Sequence, residues 1–151
     1  MRECGKVEEK QSEFQIIMKI YFNNDFDVNK ITELLNVKPS YCTPYSKSGY
    51  TRKSNQKQLG AWWYSYPSPT EFEKEMVLQN VLDKFFEPFD KERIQTLKNI
   101  VEENSGEIKL CINIYFYHER VPELCFGGRA MRILNYLNAD IEINMNEDNE
   151  C

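Results

Sequence analysis

The chain has 151 residues, 41% of them hydrophobic and 28% charged, with a formal net charge of −5 and a pI near 5.1. That length suits one domain able to bury roughly two thirds of its unfolded surface, and the composition excludes wholesale disorder and any need for covalent staples. The N-terminal MRECGKVEEKQ is charged from its second residue and no apolar run reaches the length of a membrane span or signal core, so no membrane is expected and the expected compartment is the cytoplasm.

In chain order, FQIIMKIYF alternates with period two. Phe14, Ile16, Met18, Ile20 and Phe22 share one face, and Gln15, Ile17, Lys19 and Tyr21 share the other, which predicts a half-buried strand. Asp25 or Asp27 then caps a short helix with Val28, Ile31, Leu34 and Leu35 as its apolar stripe, ended by Pro39. A weak strand from Tyr41 leads into a polar loop. Ala61 to Tyr66 predicts a second strand, closed by Pro67-Ser68-Pro69 because proline cannot donate to a ladder. Thr70 with Glu73 has the spacing of a capping box, which predicts a helix running through Phe86, where Pro88 breaks it. The next helix, from Asp90 to about Asn104, carries Ile94, Leu97, Ile100 and Val101 inward and stops at Gly106.

The opening pattern then returns. KLCINIYFY turns Leu110, Ile112, Ile114 and Phe116 inward and Asn113, Tyr115 and Tyr117 outward, repeating the IYF of residues 20–22 in the same register. A helix with Ala130, Ile133, Leu134 and Leu137 follows, and then DIEINM, in which Ile141, Ile143 and Met145 alternate. Two strand-helix-strand halves predict an α+β fold, a ferredoxin-like two-layer sandwich with a mostly antiparallel sheet and its helices packed on one face. The domain is expected to span 14–145, between an N-terminal tail (1–13) and an acidic C-terminal tail (146–151).

Over roughly Phe14 to Met145 the chain resembles a bacterial family known only as domain of unknown function 4279. The resemblance is carried by DFDVNKITELLNVKPS, a glycine-bearing polar loop, a strand built around Trp62 and Trp63, and the closing LNYLNADIEINM with Asp140 and Glu142. One departure is CFGGRAM before the last helix, where similar proteins more often have a serine-type cap, so Gly127 or Gly128 caps instead. The resemblance brings no activity with it. Some members sit near bacterial toxin genes, which implies an immunity role against such a toxin.

Catalytic chemistry finds little footing in the residues. Nucleophilic catalysis needs a base within reach of a serine, cysteine or threonine, and the single histidine, His118, lies at a strand end beside Glu119 and Arg120. Cys4, Cys42, Cys111, Cys125 and Cys151 show no CxxC spacing and no histidine at ligand spacing, so free thiols are expected, with no metal and no cofactor. Gly127-Gly128 is neither a dinucleotide fingerprint nor a phosphate loop. Asp140 and Glu142 share one face of the last strand, where they suit an exposed edge whose charges block unwanted pairing. The expected protein is not an enzyme.

Charge placement is more informative. Between Leu34 and Thr70 the chain has Lys38, Lys47, Arg52, Lys53 and Lys57 and no acid, so this segment is +5 and the remainder is −10 to reach the net −5. Next to it in sequence stands GAWWYSY, residues 60–66. A strand places Trp62, Tyr64 and Tyr66 on one face and Trp63 and Ser65 on the other, so only one tryptophan can be core. If helices cover the face of Ile20 and Ile114, the open face bears Tyr21, Tyr115, Tyr117 and the other tryptophan. The expected binding residues are Tyr45, Tyr50, Arg52, Lys53, Lys57, Trp62 or Trp63, Tyr21 and Tyr115. The expected partner is another bacterial protein, a toxin among the candidates, met first by charge and then by aromatic anchors. An RNA- or nucleotide-binding sheet is the alternative, disfavoured because an acidic chain offers few cations to neutralise phosphate.

Overall fold

The structure, a computed structural model, describes residues 11–46, 58–117 and 120–148. Its strands are β1 (Glu13–Phe22), β2 (Tyr41–Thr43), β3 (Gly60–Tyr66), β4 (Glu73–Lys74), β5 (Glu107–Tyr117) and β6 (Asp140–Asp148). Its helices are α1 (Asn29–Leu35), α2 (Leu78–Phe86), α3 (Lys91–Glu103) and α4 (Gly128–Tyr136). The strands form one mixed sheet in the order β2-β3-β1-β5-β6, with β4 attached to the start of β1. All ladders are antiparallel except the parallel β5–β6 pair, so the class is α+β as the periodicities predict.

Period two decides which face is wet. Phe14, Ile16, Met18, Ile20 and Phe22 of β1, Trp62 of β3 and Ile108, Leu110, Ile112 and Ile114 of β5 are all buried, and they join one core with Ile31 and Leu35 of α1, Leu82 and Phe85 of α2, Leu97 of α3 and Leu134 of α4. The helices therefore cover this face, and the alternate residues of each strand form the open one. Caps act where the sequence places them at α3 and α4. Asp90 accepts a bond from the Arg93 amide at 2.8 Å, and Gly127, at φ 82, opens α4 in a conformation that a side chain would strain. Before α1, Asp27 Oδ1 accepts from the Asn29 amide at 3.0 Å.

Four expectations need correction. No helix begins at Thr70. Glu73–Lys74 pairs with β1 instead, and α2 starts at Leu78. Gln15 Nε2 donates to the carbonyls of Ser68, Pro69 and Glu71 at 2.9, 2.9 and 3.3 Å, while Glu73 Oε1 accepts from the Tyr66 hydroxyl at 3.1 Å and from Lys84 Nζ at 2.7 Å. The carboxylate that would close the capping box thus has tertiary partners, and these outweigh a cap worth about 1 kcal/mol. Leu34 is 60% exposed rather than core, because the buried stripe of α1 is only Ile31 and Leu35. Phe116 is half-buried rather than inaccessible: β5 outruns β1, whose first residue Glu13 stands opposite Tyr115, so among the described strands Phe116 is paired with Glu147 of β6 and with no residue of β1. Finally, the two strand-helix-strand halves are built differently, since β3 lies between β1 and β2 whereas β5 and β6 are neighbours.

Candidate functional site

The parity of β3 settles the tryptophans. Ile20 stands opposite Trp62 and Lys19 opposite Trp63, so Trp62 follows the core face and Trp63 the open one. Trp62 is fully buried and its Nε1 donates to Thr32 Oγ1 of α1 at 2.9 Å. Trp63 is half-buried on the outside of the sheet.

Three strands place aromatic rings around Trp63. Tyr41 of β2 sits directly opposite it, with ring centroids 4.9 Å apart and planes at 54°. Tyr21 of β1 meets it edge-on at 6.3 Å. Lys19 Nζ lies 4.4 Å from the Trp63 centroid, a cation–π contact that closes the cluster from the β1 side. The Trp63 Nε1 is shielded from solvent without a hydrogen-bond partner of standard geometry. Burial pushes the Tyr21 hydroxyl above the usual phenol range; Cys111 adds to the rise and the nearby Trp63 indole opposes it. Tyr41 is 48% exposed, so the cluster presents one accessible ring held by two less accessible ones.

Further along the same face the character changes to polar. Cys111 Sγ donates to Glu142 Oε2 at 3.3 Å, and burial first, then that bond, raises its pKa above the usual thiol value. Beyond it an amide row crosses three strands, with Asn144 Nδ2 donating to Asn113 Oδ1 at 3.0 Å and Asn113 Nδ2 to Gln15 Oε1 at 3.1 Å. Tyr115 lies past this row, 40% exposed, with Phe72 against its ring at 5.0 Å.

The expected site residues therefore divide. Tyr21 and Trp63 come together, and Trp62 leaves the site for the core. Tyr115 shares their face but pairs with Glu13, eight residues along β1 from Tyr21, or about 27 Å in an extended strand. Tyr45 follows β2 and is half-buried. Tyr50, Arg52, Lys53 and Lys57, like His118, lie outside the described residues. The run that contains the first four leaves at Ser46 and returns at Gln58, which bond each other through their backbones at 2.9 and 3.2 Å, so it joins the two strands that carry Tyr41 and Trp63. Lys19 and Tyr41 were not among the expected site residues. Lys19 was readable as an outward position of β1, whereas Tyr41 gains its role only from its β3 neighbour. Cys42, Cys111 and Cys125 are free thiols. Among the described residues no group of three or more potential ligands could hold a metal, and no helix is long and apolar enough to cross a membrane.

A mixed sheet with helices on one side and a tyrosine–tryptophan–lysine cluster on the other is thus the class of protein this chain defines. It belongs to the family described as domain of unknown function (DUF4279), whose profile matches residues 11–148. Comparison with curated proteins and with solved structures returned no match.

Proposed function

We propose that the protein is a non-catalytic bacterial binding protein of the cytoplasm, an immunity-type or regulatory partner of another protein, which it engages through the open face around Trp63. The supporting observation is the cluster itself. An indole wedged between Tyr41 and Tyr21 beneath Lys19 is a rigid aromatic anchor with a cation beside it, and tryptophan and tyrosine anchors of this kind are prominent among the residues that dominate the energetics of protein interfaces. Base stacking is less well served. Lys19 already covers the Trp63 ring, and Glu107, Asp140 and Glu142 share the open face, where they repel phosphate. The order β2-β3-β1-β5, with α1 between β1 and β2, also favours a ferredoxin-like core to which α4 and β6 are added.

The test begins with a photo-crosslinking amino acid at Tyr41, identification of the captured protein, and binding kinetics against that protein. Trp63→Ala is expected to speed dissociation at least about 30-fold, the effect of losing a hot spot of about 2 kcal/mol, while the same change at Tyr136 on α4 leaves binding intact. Normal kinetics for Trp63→Ala would remove the open face from the interface. Tight, steeply salt-dependent binding to single-stranded RNA in place of a protein would favour the alternative.

A further inference from the structure

The edge opposite the aromatic cluster carries a second surface. β6 is a nine-residue strand at the end of the sheet, and no strand among the described residues pairs with its outer side. Through the register Leu110↔Ile141, Ile112↔Ile143 and Ile114↔Met145 it continues the core face of β5. Yet Ile141, Ile143 and Met145 remain 40, 40 and 41% exposed, because the helix layer does not extend over them. A long edge strand with an uncovered apolar row is a template for pairing unless something prevents it.

Here the side chains select one pairing. In DIEINMN, residues 140–146, the apolar row is symmetric about Ile143, while the polar row has acids before that residue and asparagines after it. We propose that β6 pairs antiparallel with β6 of a second copy of this chain, with Ile143 opposite itself on a two-fold axis, joining the two sheets into one. In that register Ile141 faces Met145 of the other copy. Glu142 faces Asn144, and Asp140 faces Asn146, so both acids of residues 140–146 meet an amide that can donate to them. Asn144 already donates one of its two amide hydrogens to Asn113, and the other carries the amide row across the axis. Neighbouring registers fail. A one-residue slip sets apolar against polar side chains. Moving the axis to residue 142 puts Glu142 against its own copy, and moving it to 144 puts Ile141 against Glu147. The acids of β6 thus reject other pairings and permit this one. The interface lies at the far edge from β2, so it leaves the Trp63 face open, and its two-fold operator closes the assembly at a dimer.

Sedimentation equilibrium of the full chain tests this. Each copy carries a net charge of −5, so repulsion opposes association, and the dimer should tighten as salt rises from about 0.1 M to about 1 M, over which the screening length falls from about 10 Å to about 3 Å. Ile143→Lys should weaken the dimer at least tenfold, roughly the loss of one well-buried apolar contact. Asn144→Asp, which sets a carboxylate against the other copy's Glu142, should weaken it at low salt and recover at high salt. Thermal melts of both variants at monomer concentration control for folding. The register has its own readout, in a background without the five native cysteines. Ile143→Cys should form an interchain disulfide by itself, whereas Ile141→Cys and Met145→Cys should cross-link only when the two variants are mixed. A monomer at every concentration and salt, a dimer indifferent to Ile143→Lys, or cross-linking of Ile141→Cys with itself would each overturn the proposal.

Discussion

Two adjacent tryptophans show how one residue of strand parity separates the core from the open face. Trp62 is enclosed by the core and bonded to Thr32, whereas Trp63 is supported by two tyrosines and a lysine on the outer face. Trp62→Ala should destabilise the protein by about 3–5 kcal/mol, the usual result of emptying a buried aromatic site. Trp63→Ala should cost less, about 1–3 kcal/mol, the range for losing two aromatic contacts and a cation–π contact on a half-buried ring. Urea unfolding of both variants checks this, and equal losses would contradict the assignment of Trp63 to a binding surface. Both alternations were compatible with GAWWYSY, since tryptophan fits either side of a sheet. The pairing of Ile20 with Trp62, forty-two residues apart in the chain, decides between them.

Among the elements, the segment between β3 and α2 departs furthest from its local sequence signal. Thr70 and Glu73 have capping-box spacing, but Gln15 holds three carbonyls of this segment and Phe72 rests on Tyr115. Gln15 is itself buried, with its Oε1 accepting from Asn113. Gln15→Leu should therefore cost about 1–3 kcal/mol, because it removes the bonds of a buried amide to this segment and takes from Asn113 Nδ2 its acceptor. Amide exchange should accelerate at residues 68–75, where Glu75 N also bonds the Ser12 carbonyl, while α3 keeps its protection. Unchanged exchange would show that β4 is held by its ladder to β1 alone. Other elements, β1, β5 and α3, followed their sequence patterns closely, since each buries a stripe that its own periodicity defines.

For the whole molecule, the uneven charge is the feature with the longest reach. Four of the five cations of the +5 segment fall in the run of sequence that joins β2 to β3, the strands that carry Tyr41 and Trp63, and the acids of β6 stand at the opposite edge of the sheet. Under the proposed function, charge segregated in this way would steer an acidic partner before contact. Arg52→Ala with Lys53→Ala should slow association with the captured partner several-fold and flatten its salt dependence, while dissociation changes little. Stopped-flow mixing at two ionic strengths measures both. An effect confined to dissociation would place these residues in the contact itself rather than in steering.

The sequence by itself determined what depends on near neighbours: the two faces of β1 and β5, the extent of α3 from its Asp90 cap, the glycine entry to α4, the open-face positions of Tyr21 and Tyr115, and the segregation of charge. Periodicity and capping act over a few residues, so they can be read from a few residues. Only the tertiary structure decided which strands are neighbours, that Trp63 and not Trp62 faces outward, that Tyr41 and Lys19 complete its cluster while Tyr115 stands far along the strand, and that the apolar row of β6 is left uncovered. Each of these rests on contacts between residues distant in the chain, where a local preference worth about 1 kcal/mol yields to ladders, buried amide bonds and packing that together are worth far more.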